Sequence, residues 1–73
     1  MTPRDRVWWI VTLMVQKRNG FAVRDVRDVA QEAFKEDAPS RRTIDNTIKA
    51  MVELGYLERL GEEGRAAHYI PAE

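Results

Sequence analysis

The chain contains no cysteine and only one histidine. A disulfide framework is therefore excluded, and so is a structural zinc site built on Cys/His spacing. Long apolar runs are missing as well. The longest, Val7-Trp8-Trp9-Ile10-Val11, falls far short of the ~20 residues a membrane-spanning helix needs, and no small-residue cleavage site follows it. The expectation is an intracellular, cytoplasmic protein with neither signal peptide nor membrane span. An excess of charge of one sign is also lacking: 12 Lys and Arg balance 12 Asp and Glu. That argues against a nucleic-acid binder working through overall charge.

Catalytic signatures are absent too. No Gly-rich phosphate loop occurs. Ser40 has no assignable base and reads as a helix cap. His68 has no second His, Cys or paired carboxylate at ligand spacing and reads as an ordinary strand residue. Neither an enzyme nor a bound cofactor or metal is expected. The length of 73 residues leaves room for one core and one domain, 1–73. A domain this short buries only about 60% of its unfolded surface. With disulfides and metal excluded, self-association is the remaining common support.

What is present has a clear order. Thr2-Pro3 is an N-cap followed by a residue suited to the first helical position, and Asp5 complements the helix dipole. Val7, Ile10, Val11 and Met14 recur at helical spacing up to Lys17-Arg18, and Asn19-Gly20 ends the run. This predicts a first helix over 3–18 with Gly20 in the left-handed conformation. Phe21-Ala22-Val23 reads as a short first strand or a linker. Asp25 is the expected cap of a second helix, 25–36, with Asp28 three residues on and a face of Val26, Val29, Ala30, Ala33 and Phe34. Pro39 breaks the chain. Ser40 caps a third helix, 41–54, with Ile44, Ile48, Met51 and Val52 on its buried stripe, Thr47 beside them, and Gly55 as the stop. Patterning then turns strand-like at 56–60 and 66–70 around a Gly-bounded turn, which predicts a hairpin.

Charge is distributed unevenly. Over residues 1–24, Arg4, Arg6, Lys17, Arg18 and Arg24 face only Asp5. Over residues 25–39, Arg27 and Lys35 face five carboxylates. A neutral total therefore leaves room for a basic face.

The segment from Ser40 through Thr43, Ile44, Ile48, Met51, Val52, Leu54, Gly55, Tyr56 and Leu57 to Arg59 resembles the recognition helix and first wing strand of winged helix-turn-helix transcription regulators. In that superfamily a Ser-capped helix with an apolar i, i+4, i+7 stripe runs into Leu-x-x-x-Gly-Tyr/Leu-Leu/Ile and then a β-wing. Upstream, Val23 to Ala30 resembles the helix that opens the helix-turn-helix. The resemblance spans essentially the whole chain and is specific for the fold, not for one family within it.

It implies an α+β, mostly α, fold of three helices followed by a two-stranded wing. It also implies sequence-specific binding of double-stranded DNA as a small dimeric transcription regulator, with helix 41–54 in the major groove. Arg42 and Asn46 would then read bases, Lys49 would reach phosphate or guanine, and Arg41 would serve as a phosphate contact. Arg24 and Arg27 would clamp phosphates, unless Asp25 and Asp28 pair with them. At the wing tip, Gly61-Glu62-Glu63-Gly64 departs from the basic tip usual in the superfamily and leaves only Arg65. The acidic tip and zero net charge motivate an alternative, a winged-helix protein-interaction module without DNA binding.

The first helix is unusually apolar. Its hydrophobic arc covers about 260°, where burial against one core needs a little over 100°. Trp8 and Trp9 mark the two edges, and only Thr12 and Gln16 are clearly on the polar side. Either the rings drape over a small core, or Trp8, Trp9 and Val15 contact a second copy of the chain. The second reading is favoured.

Overall fold

The computed structural model describes residues 2–17, 20–61 and 68–72. Helix α1 (Pro3–Lys17) begins as its sequence dictates. The Asp5 N–H donates to Thr2 Oγ1 at 3.1 Å, and the Thr2 N–H donates to Asp5 Oδ2 at 3.2 Å. Each residue thus satisfies an orphan donor of the first turn. The hydrogen bonds from the Thr2 backbone, then from its hydroxyl, hold the exposed Asp5 carboxyl below its ordinary value.

Helix α2 (Val23–Phe34) starts two residues before the expected Asp25. Ala22 is the cap, and its N–H donates to Asp25 Oδ2 at 2.9 Å. Asp25 therefore reaches back from inside the first turn and does not precede it. Val23 packs against the core, and that packing outweighs the low helix propensity of a β-branched residue. Asp28 stays exposed and takes no part in the cap. Ala33, expected on the buried face, is also exposed.

The helix ends at Phe34, earlier than expected. Lys35 adopts φ 51°, ψ −112°, and a 3₁₀ turn, Lys35–Asp37, follows. Only glycine enters that backbone region without steric cost, and a side chain there costs about 1–3 kcal/mol. Lys35→Gly is therefore expected to raise stability by about 1 kcal/mol after its larger unfolded-state entropy is offset, seen as a melting temperature about 4–8 °C higher. An unchanged or lower melting temperature would show that Lys35 is not strained.

Gly20 does not take the left-handed conformation expected of it; among the described residues the positive-φ glycines are Gly55 and Gly61. Gly20 instead lies against the wing, where a Cβ would sit 3.4 Å from Ile70 Cγ2. The short extended piece is a rudimentary strand. Phe21 forms an antiparallel bridge with Tyr69, with N–H···O distances of 3.0 and 2.7 Å in the two directions.

Helix α3 (Arg41–Glu53) is capped by Ser40, whose Oγ accepts from the Thr43 N–H at 3.2 Å. Its buried stripe is Ile44, Thr47, Ile48 and Met51. Thr47 is satisfied inside by donating to the Thr43 carbonyl at 2.6 Å. At the other end Gly55 takes φ 80°. The Gly55 N–H donates to the Val52 carbonyl at 3.0 Å and the Tyr56 N–H to the Met51 carbonyl at 2.9 Å. This is a Schellman termination, and it turns the chain sharply into the wing.

Strands β1 (Leu57–Leu60) and β2 (His68–Pro71) pair antiparallel, with Leu57 opposite Pro71 and Leu60 opposite His68. The second strand runs to Pro71, one residue past its expected end, and the expected strand residues 66–67 lie outside the described residues. The result is three helices followed by a two-stranded antiparallel sheet, an α+β winged-helix-like layout. One core joins the three helices, Phe21 and β1: Val7, Ile10, Val11 and Met14 from α1 meet Phe21, Val26, Ala30, Ile44, Ile48, Met51 and Leu57, and Tyr69 of β2 packs against it.

The wide apolar arc of α1 is partly covered from within. Trp8 is half-buried and its ring centroid lies 5.2 Å from that of Tyr56. Val15 is half-buried against the core. Trp9 meets Phe34 edge-on at 5.7 Å yet remains 45% exposed. Arg6 closes this flank, its guanidinium 5.6 Å from the Phe34 ring centre and donating to the Asp37 carbonyl at 3.0 Å. Among the described residues, no helix is long and apolar enough to cross a membrane.

Candidate nucleic-acid interface

The periodicity of α3 separates two faces. With Ile44, Ile48 and Met51 turned into the core, the 100° step places Arg42, Asn46, Lys49 and Glu53 on the outward side, and all four are exposed. The first three span the N-terminal and middle turns, and the carboxylate of Glu53 falls in the last. Among the described residues, Arg42, Asn46 and Lys49 make no side-chain hydrogen bond or ion pair. Arg41 differs: its Nε lies 3.9 Å from Asp45 Oδ2, with 75% and 50% of the two side chains exposed. An i, i+4 pair this exposed contributes a few tenths of a kcal/mol at most, so a stronger anion can displace Asp45.

Arg24 and Arg27 are both exposed in the first turns of α2. Among the described residues neither pairs with Asp25 or Asp28, and the Asp25 carboxylate is engaged by the Ala22 N–H instead. Arg65 and the acidic tip, Glu62 and Glu63, lie outside the described residues.

Topology brings a further cation to this side. The Phe21 bridge ties β2 to the start of α2, and the Schellman turn sets β1 beside α3. An open groove of about 340 Å³ results, lined by Val23, Asp45, Lys49, Val52, Arg59 and Tyr69. Arg59 is the residue that reading the sequence alone did not select. Burial along β1 does not alternate, since Leu57 alone is buried, so the signal was only that a strand puts residues two apart on one face. Arg59 shares a face with the buried Leu57 and stands opposite Tyr69 across the hairpin.

Of the residues considered for self-association, Trp8 and Trp9 lie on opposite flanks of α1. Trp9 presents the larger free surface; Trp8 and Val15 are half-buried. No family model matches the chain, and neither a curated protein nor a solved structure matches it.

Proposed function

We propose that this chain is a winged helix-turn-helix DNA-binding regulator. It acts as a cytoplasmic homodimer, without enzymatic activity, and sets α3 into the major groove. The observation that carries this reading is the outward face of α3. Arg42, Asn46 and Lys49 stand exposed and unengaged by other described side chains, on the third helix of a three-helix-and-hairpin layout. An Arg side chain matches guanine O6/N7, and an Asn side chain matches adenine N6/N7. Because the chain is neutral overall, affinity has to come from a local cluster. Arg41 or Arg42, Lys49, and Arg24 or Arg27 from each of two chains would neutralise about six phosphates, and these residues alone would contribute roughly −5 to the salt slope of log K. The test is fluorescence anisotropy with a random-sequence duplex at low salt, followed by selection of an operator. Weak binding that falls off with salt is expected. No binding at low salt would leave the protein-interaction module as the better reading.

The dimer contact is assigned to the Trp9 flank of α1. Each ring has an internal aromatic partner, Tyr56 for Trp8 and Phe34 for Trp9, but Trp8 is half-buried whereas Trp9 keeps nearly half its surface free. A buried aromatic anchor contributes about 2 kcal/mol or more to association, so Trp9→Ala is expected to weaken the dimer roughly 30-fold. Trp8→Ala should instead lower the melting temperature. Light scattering that reports a monomer at high micromolar concentration would refute the dimer. A Trp9→Ala dimer of parental affinity would move the interface elsewhere.

A further inference from the structure

We propose that Arg59, on the body of the wing strand and not at its tip, holds a backbone phosphate of the bound duplex at the groove beside α3. This deepens the DNA-binding reading and rests on it. The groove wall formed by α3 carries Asp45, Lys49 and Val52 at i, i+4 and i+7, and Arg59 faces it from β1. The remaining lining is Val23 and Tyr69, so the charged groups of the trough stand beside apolar and aromatic surface. Of its three charged groups two, Lys49 and Arg59, are cations and one, Asp45, is a carboxylate. The local balance therefore favours an anion. Among the described residues, Arg59 makes no ion pair or side-chain hydrogen bond, so its planar fork is available to two oxygens of one phosphate.

Its position is also fixed. Arg59 pairs with Tyr69, and Tyr69 is bonded in both directions to the main chain of the fully buried Phe21. A contact from this strand thus holds the duplex in register with α3 from a rigid support, and it needs nothing from the acidic tip. Phosphate carries no sequence information, so Arg59 positions the duplex and does not read it.

The test compares Arg59→Gln and Arg59→Lys with the parent by anisotropy across a salt series, on the selected operator and on a random duplex. Arg59→Gln is expected to flatten the slope of log K against log salt by about 0.9 per phosphate no longer neutralised, hence about 1.8 for a two-fold dimer. Affinity should fall equally on both duplexes, and Arg59→Lys should keep the parental slope. A thermal melt of Arg59→Gln like the parent's, as expected for an exposed residue, ties the change to binding. If Arg59→Gln leaves the slope unchanged while Arg42→Ala weakens operator binding, the phosphate site is wrong and the DNA reading stands. A slope that drops equally in Arg59→Lys also overturns the site, since charge is then not what matters. A parent that binds no duplex at low salt overturns both.

Discussion

Phe21→Ala is expected to leave this domain at the edge of unfolding. Phe21 is 1% exposed and belongs to the shared core, and its ring lies 6.0 Å from that of Tyr69. Truncating a fully buried Phe costs about 3–5 kcal/mol through forfeited transfer energy and the cavity left behind. Small domains have only about 5–15 kcal/mol to lose, and one of this length sits toward the lower end. The urea midpoint should fall by more than half. Phe21→Leu fills most of the volume and keeps the main-chain bridge to Tyr69, so it should cost much less. If Phe21→Ala costs under 1 kcal/mol, the strand-like piece between α1 and α2 is not the link that joins wing and helices.

The second large effect is expected on DNA. On a selected operator, Arg42→Ala and Asn46→Ala should each lose about 1–3 kcal/mol per half-site, roughly 5- to 150-fold, and relax the preference at one base pair each. Lys49→Ala should weaken all sequences alike, as removing a phosphate partner does. Stability should barely move, because all three side chains are exposed and make no hydrogen bond or ion pair among the described residues. Operator half-sites should lie about one helical turn apart, since a two-fold dimer presents both α3 helices to one side of the duplex. If Arg42→Ala and Asn46→Ala both bind like the parent, α3 is not the reading helix, and protein interaction becomes the better account of its outward face.

The contrast between α2 and α3 shows where reading the residues in order succeeds. In α3 every local signal agrees. Ser40 caps, the apolar stripe has one period, and Gly55 can take φ 80° at no cost. In α2 they compete. Asp25 suits an N-cap, but the same carboxylate at the third helical position also satisfies the Ala22 N–H. Spacing along the chain cannot choose between the two; the burial of Val26 and the packing of Val23 against the core do. The early end at Lys35 is likewise unmarked in the sequence. No glycine marks it, and a lysine is held at positive φ.

For the candidate interface, Arg42, Asn46 and Lys49 were legible because a helix's outward face follows from its buried stripe alone. Arg59 was not, because its importance depends on which element lies across from it. The Trp residues show the same limit: a helical wheel reports that Trp8 and Trp9 leave α1 in different directions, and nothing about what meets them there.

By itself, the sequence determined what is local or periodic: the caps at Thr2 and Ser40, the core stripes of α1 and α3, the stop at Gly55 and the change to a hairpin. These depend on hydrogen bonds and side-chain spacing within a few residues. Tertiary structure alone decided that Phe21 joins the wing and that Gly20 packs against β2. It also decided that Trp8 rests on Tyr56 and that Arg59 shares a groove with Lys49. Each of those pairs residues about 10 to 50 positions apart, and their meeting is set by how the shared core is filled.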